Sequence, residues 1–212
     1  MITNKLAGKI ILLIAFAIII SCGSIVIPDP LDPRLLRYTD KGNNAAGALV
    51  NEDPWISEIK LFSSSAREVQ SFMSGDSLMI SFEGTAEDKG RITFSFILRG
   101  FDIDSLSDLS KLNNEKIFFA DSDNSVFYLA SSNGGLLEGT AGQIYFKSVK
   151  LVPELENSDV IDYMIISGTF SFNIPDQDIS VTYGRFDFKI YKFEENFLFN
   201  QKIPSSYTSE TP

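Results

Sequence analysis

Polar and apolar residues alternate with a period of two along most of the chain from residue 51 onward, which is typical of half-buried strands. The segments "SLMISFE" (77–83) and "RITFSFILR" (91–99) show this alternation most clearly, with every second residue large and apolar. Further strands are predicted at 55–62, 116–120, 126–130, 143–152, 161–174 and 180–193. Only 102–112 has a helical pattern, of at most two or three turns. We therefore expect an all-β fold, an antiparallel β-sandwich or flattened barrel of about eight to ten strands with one short helix.

The last two predicted strands flank the loop "PDQDI" and specify their own register. A hairpin closed at that loop places Gly168 opposite Phe186 and Phe170 opposite Gly184, so that each ring covers the backbone of the facing glycine. The same register pairs further apolar residues, Ile166 with Phe188 and Met164 with Ile190. A slip of one residue would turn all of them outward, so we expect this register to be strongly specified.

The opposite parity of this hairpin carries polar and aromatic side chains that should face solvent or a ligand. They are Tyr163, Ser167, Thr169, Tyr183, Arg185, Asp187, Lys189 and Tyr191. Tyrosines on a sheet face can form a platform for sugar rings or for a partner protein. The candidate ligand face consists of Tyr145, Tyr163, Tyr183 and Tyr191. The alternative is that another sheet, or the N-terminal tether, covers this face.

The N-terminus has the pattern of a signal peptide. Lys5 and Lys9 precede the eleven apolar residues 10–20, a length typical of a signal-peptide core and too short to span a bilayer. A retained transmembrane helix is the alternative, because residues 10–27 contain no charge. The small polar residues 21–24 and the prolines that follow argue against that helix.

The residues Ile19-Ile20-Ser21-Cys22 resemble the bacterial lipobox. The resemblance implies cleavage between Ser21 and Cys22 and attachment of lipid, including fatty acyl chains such as palmitate, to Cys22, the only cysteine. The resulting organisation is a signal peptide at 1–21, a lipidated N-terminus and flexible linker at 22–50, a β domain at 51–200 and a C-terminal tail at 201–212.

Composition narrows the chemistry of the domain. The chain has 28 acidic and 18 basic residues, which argues against nucleic acid, and it lacks a polybasic stretch near the domain for anionic lipids. Without histidine there is no Ser-His or Cys-His nucleophile pair and no imidazole ligand for zinc. We expect a non-catalytic domain without a cofactor.

Two acidic clusters are better explained as local structure than as sites. Asp121, Asp123 and Ser125 are spaced as in the opening of a calcium loop, but the central glycine and closing glutamate of an EF-hand are missing, so a polar turn is favoured. Asp104 or Ser105 is expected to cap the short helix. A hydrolase would need two carboxylates facing each other across a cleft.

"SGTFSF" followed by "VTYGRFDFKI" resembles the C-terminal hairpin of small all-β lipoproteins common in Bacteroidetes. This resemblance implies a β-sandwich or flattened barrel and brings no catalytic residues. We expect an outer-membrane lipoprotein, with the periplasmic face favoured because Asp29 and Asp32 do not directly follow Cys22 as a surface-export cluster would. Its partners would be the membrane, through Cys22, and a glycan or envelope protein. The alternatives are a carboxylate-dependent glycan hydrolase and a carrier with an apolar ligand inside a barrel.

Overall fold

A computed structural model describes residues 29–30, 32–57, 69–74, 76–120, 122–131, 135–156, 159–191, 197–198 and 203–207. The predicted signal peptide, the lipobox and Cys22 lie outside the described residues. In the described ranges, no helix combines the length and the apolar character needed to cross a membrane.

The described residues form twelve strands and three short 3₁₀ helices. The strands are β1 (Ala45–Val50), β2 (Asp53–Ser57), β3 (Val69–Ser74), β4 (Ser77–Ala86), β5 (Gly90–Arg99), β6 (Glu115–Phe118), β7 (Ser125–Ala130), β8 (Leu136–Gly139), β9 (Ala141–Glu156), β10 (Asp159–Ile174), β11 (Ile179–Tyr191) and β12 (Phe197–Leu198). The 3₁₀ helices are Leu106–Leu112, Pro175–Gln177 and Ser205–Tyr207. The predicted all-β class is confirmed.

All strands belong to one sheet, which curls into a half-barrel. Its order is β6-β9-β10-β11-β1-β2-β4-β5-β7-β8, with β3 paired to β4 and β12 paired to β3. Every pairing is antiparallel except the one between β3 and β12. The curl brings the β4–β5 side over the β10–β11 side, and the concave face between them forms the core.

Aromatic rings from both sides of the curl fill this core. Phe82 on β4 lies 5.1 Å from Phe186 and 5.3 Å from Phe188 on β11, measured between ring centroids. Phe94 on β5 lies 5.6 Å from Phe170 on β10. Rings at these separations gain pair energy beyond the burial of their area, so the two sides of the sheet hold each other in place.

The predicted register of the β10–β11 hairpin is confirmed, with Gly168 paired to Phe186 and Phe170 paired to Gly184. A Cβ atom on Gly168 would lie 1.9 Å from the carbonyl oxygen of Tyr145, and one on Gly184 would lie 2.5 Å from the Phe170 ring. Both positions therefore require glycine because a neighbouring strand or ring occupies the space of a side chain.

Strand β11 contains a bulge near its start. The pairing of β11 with β10 shifts by one residue between Phe170 and Phe172. The pairing of β11 with β1 shifts at the same level, between Gly47 and Leu49. Tyr183 lies at the shift with a φ of +53°, a left-handed conformation rare for an aromatic residue. Its side chain is 61% exposed, so the bulge turns a tyrosine out of the sheet.

Strand β1 corrects the predicted linker, because residues 45–50 lie in the sheet between β11 and β2. The β domain therefore begins before residue 51. The inward residues Ala46, Ala48 and Val50 are buried but small, so the alternation is weak in the sequence. Strands β3, β8 and β12 were not predicted either. The predicted short helix is confirmed as the 3₁₀ helix Leu106–Leu112.

Candidate functional site

The described residues between 29 and 44 lie across the convex face of β10, β11 and β1, and we call them the N-terminal clasp. Asp187 on β11 is its main attachment, since its carboxylate accepts hydrogen bonds from the Thr39 hydroxyl and from the backbone N–H groups of Lys41 (3.1 Å), Gly42 (2.7 Å) and Asn43 (3.2 Å). Asp187 is 4% exposed. A buried carboxylate needs this many donors to compensate for lost hydration, so Asp187 fixes the backbone of the clasp.

A second attachment holds the start of the clasp. Arg185 forms an ion pair with Asp29, and both side chains are nine-tenths buried. The Arg185 guanidinium also donates to the carbonyl oxygens of Leu36 (3.2 Å) and Tyr183 (3.1 Å). The chain is thus fixed to the sheet from Asp29 onward, only seven residues after Cys22.

Packing completes the contact between the clasp and the sheet. The Tyr38 hydroxyl lies 3.2 Å from the Ser167 hydroxyl on β10, and burial raises the pKa of Tyr38. The side chain of Leu35 is 1% exposed, and Lys147 lies over the Tyr38 ring at 4.5 Å from its centroid. The clasp is therefore held to the sheet by both polar and apolar contacts.

The clasp changes the prediction for this face of the hairpin. Ser167, Arg185 and Asp187 were expected to face solvent or a ligand, but all three are buried beneath residues 29–44. The physical reason is that these polar groups find their partners within the chain, in the segment predicted to be a flexible linker. At the centre of this face, around Ser167, Arg185 and Asp187, the N-terminal segment covers the sheet, as the alternative prediction stated.

The four candidate tyrosines do not form one platform. Tyr163 is 8% exposed and packs on Tyr191 at 5.2 Å between ring centroids, with Lys189 over its face. Tyr145 lies further along the sheet, half-buried, and its hydroxyl donates to Asn114 (2.7 Å). Tyr183 is exposed at the β11 bulge. The clasp crosses β10 and β11 between the Tyr163–Tyr191 pair and Tyr183, so that Tyr145 and Tyr183 share the uncovered part of the face on one side of it.

We define this uncovered part as the aromatic strip, made of Phe118, Tyr145, Tyr183, Lys116 and Thr169. Lys116 on β6 pairs with Tyr145 on β9, which pairs with Thr169 on β10. Phe118 points to the same side and is 55% exposed. Phe118 was not among the predicted site residues, although adjacent residues of an extended segment point to opposite faces, and of Phe118 and Phe119 it is Phe118 that is exposed.

Five basic residues lie on the convex face of β6, β9 and β11, and two of them already have an acidic partner, since Arg185 pairs with Asp29 and Lys150 with Asp40. The basic residues are Lys116, Lys147, Lys150, Arg185 and Lys189. The chain as a whole has a net charge of −10. The fold therefore brings two exposed lysines of neighbouring strands, Lys116 and Lys147, beside the strip, although the sequence has no polybasic stretch.

The acidic clusters have local structural partners. The weak metal candidate Asp121 lies outside the described residues, and Asp123 is exposed in a turn where Asn124 accepts a hydrogen bond from the Arg99 N–H (2.9 Å). The Ser105 hydroxyl donates to Asp108 (2.6 Å), which lowers the pKa of that carboxyl. Among the residues with described placement, no group of three or more Cys, Asp or Glu side chains could hold a metal ion.

Comparison of the chain with protein-family models, curated proteins and solved structures finds no match.

Proposed function

We propose that the protein is a lipid-anchored lipoprotein of the bacterial outer membrane, on its periplasmic face, whose β domain is a non-catalytic binding module of the envelope. The lipobox residues and the preceding apolar core support the anchor. The observation that carries the binding role is the aromatic strip, where Phe118 and Tyr183 are exposed at 55% and 61% on a rigid sheet. Exposed aromatic rings on strands provide a preorganised contact surface.

The carboxylates near the strip favour binding over hydrolysis, because they are already occupied by other groups of the chain. The two buried acids next to it, Asp29 and Asp187, already compensate Arg185 and the backbone of the clasp. A glycosidase needs a pair of carboxylates that both reach the substrate. The side chains on the strip itself are instead aromatic, hydroxyl and amine groups, which bind without providing such a pair.

Binding at this surface is also favoured over transport of an apolar ligand inside the half-barrel. Seven phenylalanines from β4, β5, β10 and β11 pack against one another in the core, with ring centroids between 5.1 and 6.5 Å apart. Rings in mutual contact leave a close-packed interior rather than a ligand cavity.

The anchor is tested by intact-mass analysis of the protein isolated from bacterial membranes. We expect a chain that begins at Cys22 and carries the added mass of acyl groups, whereas a Cys22→Ser variant should keep residues 1–21. An unlipidated wild-type chain with residues 1–21 intact would contradict the anchor.

The binding role is tested by photo-cross-linking in isolated envelopes. A photoreactive residue in place of Tyr183 should capture an envelope component, whether lipid, glycan or protein. The matched control is the same residue at Leu129, which is exposed on β7 away from the strip. Equal capture at the two positions, or none at Tyr183, would contradict a binding surface at the strip.

A further inference from the structure

We infer that the aromatic strip is a membrane-docking surface, apposed to the headgroup region of the bilayer that holds the lipid on Cys22. This inference rests on the proposed lipidation and adds an orientation and a partner to it. The partner is the phospholipid surface itself.

The short free length of the tether is the first argument. Cys22 and Asp29 are seven residues apart, so the chain between them cannot span more than about 25 Å. A folded domain of this size has a radius of gyration of about 15 Å, hence a diameter of about 40 Å. Because the tether is shorter than the domain is wide, the side of the domain that carries Asp29 must face the bilayer.

The position of Asp29 is the second argument, since it lies at one end of the strip. Its partner Arg185 pairs across the sheet with Thr169, which continues the row to Tyr145 and Lys116. Strands are spaced by about 4.8 Å, so this row is about 15 Å long. The row from Thr169 to Lys116 therefore lies within about 15 Å of Arg185, the residue that holds Asp29.

The chemistry of the strip is the third argument. Tyrosine is enriched at membrane–water interfaces, where its ring lies among the headgroups and its hydroxyl remains hydrated, and lysines beside it attract anionic lipids. Lys116, whose ammonium lies over the Tyr145 ring, and the exposed Lys147 provide positive charge beside the strip, although the chain as a whole is acidic.

The orientation can be measured with one thiol label, because the single cysteine of the chain is consumed by its own lipidation. The full-length gene carrying Phe118→Cys is expressed, and the processed lipoprotein is labelled with a fluorophore. It is then reconstituted into vesicles of phosphatidylethanolamine and phosphatidylglycerol that contain a headgroup-nitroxide lipid as quencher. Lys116→Cys is a second label site within the strip, and Leu129→Cys is the matched control on β7.

We expect quenching at positions 116 and 118 to exceed that at 129 several-fold, and protection of the same labels from aqueous iodide. Equal quenching at the three positions in a protein that floats with the vesicles would overturn the docking surface and leave the lipid anchor intact. Shielding of the strip by a soluble envelope glycan but not by vesicles would also overturn it. Failure to float, with no acyl mass on Cys22, would instead contradict the proposed anchor.

Discussion

The two convex sides of the curled sheet are each covered by a terminal segment, but by different physical means. On the β10–β11 side the N-terminal clasp is held by a buried carboxylate and a buried guanidinium, Asp187 and Arg185. On the β4–β5–β7 side, Ile203 and Tyr207 pack on the apolar residues Met79, Ile97 and Phe127. Tyr207 meets Phe127 edge to face at 5.4 Å.

The two modes of attachment differ in what they specify. Apolar contact is non-directional and can be kept after a small slide of the segment. A buried charge must keep its particular donors, because leaving it unpaired costs several kcal/mol. The clasp is therefore the more sharply positioned segment, and the one whose attachment a single substitution can remove.

The largest effect is expected for Asp187→Ala. The substitution leaves three backbone N–H groups and the Thr39 hydroxyl without their acceptor, so the free energy of unfolding should fall by about 3–5 kcal/mol in urea denaturation. Hydrogen exchange at residues 41–43 should rise as well. Asp187→Asn, which keeps one acceptor oxygen, is the control and should lose clearly less. Unchanged exchange at 41–43 would show that the clasp is held by other contacts.

An intermediate effect is expected at the start of the clasp. Asp29→Ala leaves Arg185 buried with only carbonyl partners, and stability should fall by about 2 kcal/mol. Replacing both partners, Asp29→Leu with Arg185→Met, should recover most of this loss because no charge then remains buried. A double variant whose loss equals the sum of the single losses would contradict the pairing.

On the other side of the sheet, Tyr207→Ala should cost about 1–2 kcal/mol through lost apolar contact with Phe127. Added salt should leave this loss unchanged, whereas it should alter the effect of Asp29→Ala. Thermal denaturation at low and high salt checks both expectations. Equal salt dependence for the two variants would remove the distinction between the two segments.

The smallest effect is expected for Tyr38→Phe, which removes the contact with Ser167 and should cost about 1 kcal/mol at neutral pH. Burial raises the Tyr38 pKa in the folded protein, so the folded state favours the protonated phenol. Its stabilising contribution is complete below the unfolded pKa of about 10 and is lost as the pH rises above it. The variant should therefore lose less stability than the wild type between pH 10 and 11.

The sequence predicted the β10–β11 register because both requirements for it are local. Gly168 and Gly184 leave backbone bare, and the facing Phe186 and Phe170 cover it, so the pairing can be read from spacing alone. The clasp leaves no such periodic signal. Its attachment depends on side-chain-to-backbone hydrogen bonds between residues about 145 positions apart, and any irregular segment of suitable length could have made them.

The candidate site was predicted only in part, because the periodic pattern that identifies outward residues does not show which of them another segment covers. Alternation identified Tyr145 and Tyr183 as outward, and they are. It also identified Tyr163 as outward, and the direction is right, but Tyr163 is 8% exposed. Parity assigns a face of the sheet, whereas exposure depends on whatever else in the chain lies on that face.

The bulge at Tyr183 acts as a phase shift in the hydrophobic pattern of β11. Before it, the buried residues are odd-numbered, Ile179 and Val181; after it they are even-numbered, Phe186, Phe188 and Ile190. The neighbouring strands β10 and β1 keep one phase throughout. Deleting Tyr183 alone would therefore remove the extra residue and leave a regular strand, in which Ile179 and Val181 alternate in phase with Phe186, Phe188 and Ile190. The bulge turns this extra tyrosine outward, and the strand thereby keeps one continuous apolar side while carrying an exposed aromatic residue.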